Sequence, residues 1–238
     1  MSPASTWKPQ RHGVLEPLAE NLWRVRGSLP GIALERVMTV ARRDDGGLVL
    51  HSAIALDEPG MAALDALGSP RVLLVPNGYH RLDAPAYKQR YPELQVLAPS
   101  GSRRKVEQRI HCDGVYEDLI PDGAVELHTL PGTADREGAM LVRSRDGLTV
   151  VLNDVVFNMH EPRALLARLV TKLLGSAPGP RVSRLAKLGL ISDKRVLRDE
   201  LERLAALPTL VRLIVSHDQV SHGPDAARAL RTAMTYLE

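Results

Sequence analysis

The 238-residue chain has a single cysteine, Cys112, and only 3% of its residues are aromatic. One cysteine excludes an internal disulfide, so the cysteine content gives no support for an exported protein. With so few aromatic side chains, the core must be built from Leu, Val, Ala and Ile. Hydrophobic residues make up 44% of the chain, which is enough for a globular core.

Long apolar runs are also missing. No stretch approaches the roughly 18 apolar residues that a membrane span needs, and residues 1–21 contain no run of the signal-peptide type. We therefore expect a cytoplasmic protein with no transmembrane segment. The formal net charge is only +3, and no nucleic-acid-binding module is recognisable, so no specific nucleic acid is expected as a partner.

Short apolar runs bounded by turn residues predict many strands. A tight meander is predicted at 21–26, 35–42 and 48–55, with Asp44-Asp45-Gly46-Gly47 as a hairpin turn. Further strands are predicted at 71–75, 94–98, 125–130, 139–145, 148–156 and 210–215, and helices at 57–68, 84–91, 102–110, 162–174, 183–190, 193–206 and 224–237. Two strand-rich halves with helices are typical of two sheets packed face to face and flanked by helices. Residues 1–20 are expected to form an N-terminal arm, and residues 21–238 one domain.

Residues 72–83 are the most informative stretch of the chain. An apolar run stops there at Pro76-Asn77-Gly78 and is followed by His80 and Asp83. Such a run is typical of a buried strand that ends at a loop, and loops at strand ends are where folds display reactive side chains. The stretch therefore indicates a functional site without completing one.

The order of elements resembles the metallo-β-lactamase superfamily from residue 21 to residue 237. The resemblance rests on the strand meander, on residues 72–83 at the place of the family's His-x-His-x-Asp-His motif, and on residues 128–133, 148–157 and 214–218. More narrowly, Pro76, Asn77 and His80 resemble a divergent branch in which Pro-Asn-x-x-His replaces that motif. The resemblance implies an α/β (α+β) protein, a four-layer αββα sandwich with a metal site on strand-end loops.

The resemblance also implies a set of metal ligands. Asp154 falls at the place of the family's bridging aspartate and His217 at the place of its last histidine. With His80, and with Asp83 as a further candidate, three or four ligands could hold one divalent ion, which would be Zn, Mn or Fe. The expectation is a metallo-β-lactamase-fold protein of unknown substrate, at best a mononuclear metal-dependent hydrolase, with a small molecule as a possible partner.

Several family ligands are missing from the sequence. If His80 takes the second histidine position of the motif, Gly78 and Leu82 fall on two other ligand positions, and neither residue can ligate a metal. A shifted register puts Asn77 on the first position but Tyr79 on the second. Near residue 133, Pro-Gly-Thr stands where the family has Pro-Gly-His-Thr. Two ions are therefore not expected.

The alternative is a non-catalytic binding or scaffold protein that has lost the metal. His80 would then cap a loop, Asp154 would accept backbone N–H groups, and His217 would pair with Asp218. His222 is expected in the loop before the last helix. The remaining histidines are scattered and are expected to be structural or solvated, namely His12, His51, His111 and His160.

The helices between 161 and 206 combine dense leucine with positive charge. Residues 163–187 contain no acidic residue and six basic ones, Arg163, Arg168, Lys172, Arg181, Arg184 and Lys187. The simplest interpretation of residues 163–187 is that leucine packs on the sandwich and the basic side chains face water. The alternatives are a homo-oligomer contact through these helices or contact with an anionic membrane.

Overall fold

The computed structural model describes residues 7–161, 165–217 and 219–238. Strands in these ranges are β1 (Glu16–Ala19), β2 (Leu22–Leu29), β3 (Ile32–Arg42), β4 (Gly47–His51), β5 (Ser69–Leu74), β6 (Gln95–Ala98), β7 (Gly114–Val115), β8 (Val125–Thr129), β9 (Gly138–Ser144), β10 (Gly147–Val151), β11 (Leu210–Ile214) and β12 (Val220–His222). Helices are α1 (Glu58–Asp65), α2 (Ala84–Arg90), α3 (Ser100–Val106), α4 (Leu165–Leu174), α5 (Arg184–Gly189), α6 (Lys194–Ala205) and α7 (Pro224–Met234).

The strands form two sheets. The first has the order β1-β2-β3-β4-β5-β6-β7, antiparallel up to β4 and parallel beyond it. Gly46, with φ +82°, makes the predicted turn between β3 and β4, a conformation that glycine adopts without steric cost. Parallel neighbours need crossover connections, and α1, α2 and α3 supply them. The side chain of Asp57 caps α1 by accepting from the N–H of Gly60.

The second sheet has the order β12-β11-β10-β9-β8. Strands β8, β9 and β10 are antiparallel neighbours, whereas β10 and β11 run parallel. Helices α4, α5 and α6 lie between β10 and β11 in sequence, so they form the crossover that this parallel pair requires. The short strand β12 closes one edge of the sheet.

Alternate residues of each strand face different layers, because successive strand side chains point to opposite faces. In β4, Val49 belongs to the core between the sheets, together with Met140 and Val151 of the second sheet. Its neighbours Leu48 and Leu50 belong instead to the core beneath α1, α2 and α3. A third core joins the outer face of the second sheet to α5, α6 and α7. These layers confirm the predicted αββα sandwich.

Some predicted element boundaries were wrong. Residues 16–19, expected in the arm, form β1 and pair with β2. His222, expected in a loop, lies in β12 opposite Arg212. The strands predicted at 48–55 and 148–156 stop earlier, at His51 and Val151, because the residues that follow turn away from the sheet into the loops of the candidate site.

The prediction that the leucines of residues 163–187 pack on the sandwich is wrong for α4 and for Leu185 of α5. The leucine stripe of α6 does pack on it. Leu197, Leu201 and Leu204 of α6 are buried. Leu169 and Leu173 of α4 are 66% and 67% exposed. Periodicity predicts that a helix has an apolar face, but it does not identify what covers that face. In the described part of the chain, no helix is long and apolar enough to cross a membrane.

We predict that Gly138→Ala destabilises the fold. A Cβ atom at Gly138 would lie 2.0 Å from a ring carbon of Tyr116, and Tyr116 is completely buried, so the ring has no solvent to move into. We expect the free energy of unfolding to fall by about 1–3 kcal/mol, the usual cost of overpacking a core, measured by urea unfolding.

Gly13→Ala is the matched control, because the nearest atom to a Cβ there is 3.8 Å away. It should leave the unfolding midpoint unchanged. Equal midpoints for the two variants would contradict the packing argument at Tyr116.

Candidate metal centre

Three predicted ligands converge at one edge of the sandwich. His80 follows β5, Asp154 follows β10 and His217 follows β11. One potential ligand atom from each residue lies within 4.8 Å of the others. Asp154 Oδ1 lies 3.0 Å from His80 Nε2 and 3.3 Å from His217 Nε2. Of the four predicted ligands, the structure brings these three together.

The ring of His217 is fixed on two sides. Its Nδ1 lies 2.7 Å from the backbone carbonyl oxygen of Glu35, and Phe157 stacks on its face at 4.9 Å between ring centroids. A carbonyl oxygen can only accept, so Nδ1 carries the hydrogen and donates it to Glu35. In a neutral His217, Nε2 is therefore the unprotonated nitrogen, and it is the nitrogen that faces Asp154.

The ring of His80 is held in a similar way. Its Nδ1 lies 2.8 Å from the hydroxyl of Ser52. Ser52 has φ +56° and directly follows β4, so the end of this strand turns its hydroxyl toward the loop that carries His80. The hydroxyl can donate or accept, and it leaves Nε2 of His80 directed at Asp154.

Asn77 organises the loop that contains His80. Its side-chain oxygen accepts from the backbone N–H groups of Tyr79 at 2.8 Å and His80 at 3.3 Å. Its side-chain nitrogen donates to Asp154 Oδ2 at 2.9 Å. The asparagine of Pro-Asn-x-x-His is thus a buried positioning residue, which connects the His80 loop to the Asp154 loop.

Glu137 is a completely buried carboxylate that sequence reasoning missed. Its oxygens accept backbone N–H groups from Asn153, Asp154 and Val155 at 2.9–3.2 Å, and the side chain of Asn77 at 3.2 Å. Burial, with the nearby charge of Asp154, raises the pKa of Glu137 to about 8. This side chain fixes the backbone of the loop that displays Asp154.

Asp154 keeps its negative charge in the interior. Burial by itself raises the pKa of this carboxyl. When both histidines are protonated, the positive charge of His80 and the hydrogen bonds that His217 and His80 then donate act in the opposite direction and more strongly. The pKa of Asp154 therefore lies well below its ordinary value.

Asp83 lies apart from this cluster. Its carboxylate forms an ion pair with the guanidinium of Arg36 and accepts the backbone N–H of Ala55 at 3.0 Å. Arg36 is buried, with 4% of its surface exposed, so a carboxylate partner is needed where Asp83 stands. The structure thus gives Asp83 a role in stabilising the fold.

Gly78, Leu82 and Thr133 stand where the sequence departs from the family motif, and none of them supplies a candidate ligand. The backbone N–H of Gly78 donates to Ser102 Oγ at 3.1 Å, and Leu82 is half exposed. Thr133 donates its hydroxyl to the carbonyl of Leu130 at 2.7 Å. The predicted pairing of His217 with Asp218 falls outside the described residues.

His51 is a second residue whose place sequence reasoning missed. It ends β4 with only 2% of its surface exposed, and its Nε2 has no hydrogen-bond partner within the described ranges. Burial, with the positive charge of His80, lowers the pKa of His51 to about 3. A neutral imidazole therefore lies beneath the cluster. Its only sequence signal is its position at a strand end, directly before Ser52.

Comparison with known proteins supports the fold. No protein-family model and no curated protein matches the sequence. Among solved structures, the fold is similar to the metallo-beta-lactamase FIM-1 from Pseudomonas aeruginosa, determined in its mono-zinc form. That structure is 11% identical, with a TM-score of 0.60, and the match covers 97% of this chain and 98% of that chain. The chain therefore has the metallo-β-lactamase fold, as its sequence motifs predicted.

We predict that Asp83 contributes to stability and not to metal binding. Asp83→Ala removes the carboxylate from a buried Arg36, a change that costs about 3–5 kcal/mol in buried ion pairs, measured by urea unfolding. Asp83→Asn keeps an acceptor oxygen and should fold well enough for a zinc titration. Its zinc stoichiometry should equal that of the wild type.

Asp225→Ala is the matched control for the stability measurement. Asp225 pairs with Arg228, but both side chains are exposed, so its loss should cost no more than about 1 kcal/mol. If the folded Asp83→Asn variant lost its zinc, Asp83 would be a metal ligand, and its assignment to a purely stabilising role would be contradicted.

Proposed function

We propose that this chain is a mononuclear metal-dependent hydrolase, with the ion held by His80, Asp154 and His217. The observation that carries the proposal is the orientation of His217. Its N–H is committed to a backbone carbonyl, and its other nitrogen points at an ionised carboxylate 3.3 Å away. When the His217 imidazole is neutral, the lone pair of its Nε2 faces a lone pair of Asp154 Oδ1, and the two repel each other. A cation between the two atoms removes this repulsion.

The donor set fits a small divalent ion. Two imidazole nitrogens and one carboxylate oxygen are ligands that zinc accepts, and they also suit manganese and iron. Ligand atoms on a tetrahedral zinc at 2.0–2.1 Å lie roughly 3.3 Å apart, close to the 3.0 and 3.3 Å separations around Asp154 Oδ1. Histidine ligands commonly donate their second nitrogen to a carbonyl or another polar group, as His217 does.

Three protein ligands are the number found in catalytic zinc sites, which keep a further position open, whereas structural sites have four. A bound divalent ion would supply Lewis acidity and lower the pKa of a water molecule, which is the chemistry that hydrolysis needs. The chain's own residues hold the ligands in place: Asn77 and Glu137 fix the Asp154 loop, Ser52 orients His80, and Phe157 covers one face of His217. We propose a small-molecule substrate, whose class the fold does not select.

A second candidate is a binding protein without a metal. The 3.0 Å distance between His80 and Asp154 is also that of an ordinary charged hydrogen bond. If His217 were protonated, the three side chains would satisfy one another as a buried ion cluster. The broken family motif favours this alternative, and metal analysis separates it from the hydrolase.

We predict that the purified protein binds one divalent ion per chain. Zinc, manganese and iron are each offered in excess, followed by removal of free metal and elemental analysis. His80→Ala, Asp154→Ala and His217→Ala should each lose stoichiometric metal, because each removes a ligand. Ser52→Ala removes only the partner of His80 and should weaken binding by about 10–100-fold with the stoichiometry kept.

His111→Ala is the matched control, because His111 is an exposed histidine outside the cluster, and it should retain the metal. Absence of metal from the wild type with all three metals would contradict the proposal. The alternative of a buried ion cluster in a binding protein without a metal would then remain. A stoichiometric ion without hydrolysis of ester, thioester, phosphodiester or β-lactam substrates would leave a metal-binding protein without catalysis.

A further inference from the structure

The segment from α4 to α5 exposes an apolar surface that the candidate metal centre does not explain. In α4, the side chains described are exposed or half-buried and none is buried. Large apolar side chains project into solvent from both helices. We call these residues the α4–α5 surface: Leu165, Leu169 and Leu173 of α4, and Leu185 and Leu188 of α5, which are 57–85% exposed.

Leucines that cluster in this way are unusual on a free surface. Single exposed apolar residues are ordinary, but a contiguous patch marks a contact with another molecule or a membrane. Leu165, Leu169 and Leu173 stand at intervals of four residues, so they lie on one side of the helix. The two helices are joined directly, because Arg184 donates to the carbonyl of Leu173 at 3.1 Å.

The same segment carries positive charge only. Residues 165–192 contain no Asp or Glu, whereas the whole chain is nearly balanced, with 31 basic and 28 acidic residues. The basic residues of the segment are Arg168, Lys172, Arg181, Arg184 and Lys187. Arg168 is partly neutralised by Glu161, which precedes the helix. Partial burial, with the neighbouring charges of Lys194 and Arg184, lowers the pKa of Lys187.

This charge argues against a second copy of the chain as the occupant. A two-fold contact sets the same surface against itself, so it would bring basic residues against basic residues with no acidic side chain in the segment to neutralise them. Like charges that meet in an interface are costly. The homo-oligomer expected from the sequence stays a prediction, and the distribution of charge disfavours it.

An anionic lipid surface matches both features. Interfacial helices combine a leucine-rich face with Lys and Arg, whose charged ends reach the lipid headgroups. At ten residues, α4 is about 15 Å long, too short to span a bilayer but long enough to lie along one. The segment carries none of the aromatic side chains that dominate protein–protein contacts.

The segment that carries the α4–α5 surface lies beside the candidate metal centre. A Cβ on Gly189, at the end of α5, would lie 3.3 Å from the hydroxyl of Tyr79, and Tyr79 precedes His80. Arg181, between the helices, exchanges backbone hydrogen bonds with Phe157, which stacks on His217. The segment therefore borders the loop that carries His80 and the loop that carries Asp154.

We propose that the α4–α5 surface binds an anionic lipid bilayer, with α4 lying along the headgroup boundary and its leucines inserted. The proposal concerns attachment to a membrane and does not rest on the metal site. It is tested by binding alone, so its outcome stays separate from that of the hydrolase.

The test is co-sedimentation of the full chain with vesicles. The wild type should bind vesicles of phosphatidylcholine and phosphatidylglycerol at low salt, and binding should weaken at high salt because screening reduces the charge term. Vesicles of phosphatidylcholine alone should bind it much less. The double variant Leu169→Glu/Leu173→Glu should weaken binding to anionic vesicles by about tenfold or more, because it removes two inserted leucine side chains.

Two control variants, Ile120→Glu and Lys8→Gln, separate the effect of this segment from general effects of charge and exposed apolar residues. Ile120→Glu changes an apolar residue that is 80% exposed outside the segment and should bind vesicles as the wild type does. Lys172→Gln tests the charge of the segment itself: it removes one cation of α4 and should weaken binding to anionic vesicles about fivefold. Lys8→Gln removes an exposed cation elsewhere and should have little effect.

Failure of the wild type to bind anionic vesicles at low salt would overturn the proposal. Equal binding to neutral and anionic vesicles would overturn its charge argument. Sedimentation velocity is run in parallel: a dimer that Leu169→Glu/Leu173→Glu dissociates, without vesicle binding, would assign the surface to a second copy of the chain. A monomer that binds only anionic vesicles supports the proposal.

Discussion

The carboxylate of Asp154 is the group on which the geometry of the site depends. One oxygen faces both histidines at 3.0 and 3.3 Å, and the other accepts the amide of Asn77 at 2.9 Å. These contacts join loops that follow three strands in two different sheets. A displaced carboxylate would therefore separate the loops, and the histidines would lose their common direction.

The negative charge of Asp154 needs stabilising contacts because it lies in the interior. A buried carboxylate is costly unless it is paired and hydrogen-bonded. Asp154 has two histidines and an asparagine, and its backbone is fixed by Glu137, itself buried beneath the loop. Burial raises the pKa of Glu137 to about 8. The protein thus keeps one ionised acid at the surface of the cluster and a second, more easily protonated acid beneath it.

The sequence predicted the sandwich because its strands are local patterns, bounded by glycine, proline and acidic turns. His80, Asp154 and His217 could be predicted to converge because they fall at the places that the family resemblance implies for ligands, and the structure brings them together. Glu137 could not, since its partners lie 16 to 60 residues away and its neighbours are an ordinary strand. Asp83 sits beside the motif in sequence, but its carboxylate turns to Arg36 from a different strand. The exposed leucines of α4 show the same limit, because periodicity does not reveal what a helix face contacts.

The hydrogen bond from Asn77 also bears on the number of ions. In one register, Asn77 occupies the place of the first histidine of the family motif. Its amide donates to Asp154 Oδ2, and an oxygen that accepts this hydrogen bond presents less of its lone-pair density to an ion. An aspartate that bridges two ions needs both oxygens, whereas here only Oδ1 faces the histidines. In the proposed site, an asparagine at this place would supply no ligand for a second ion, and the same side chain would hold the carboxylate toward the first.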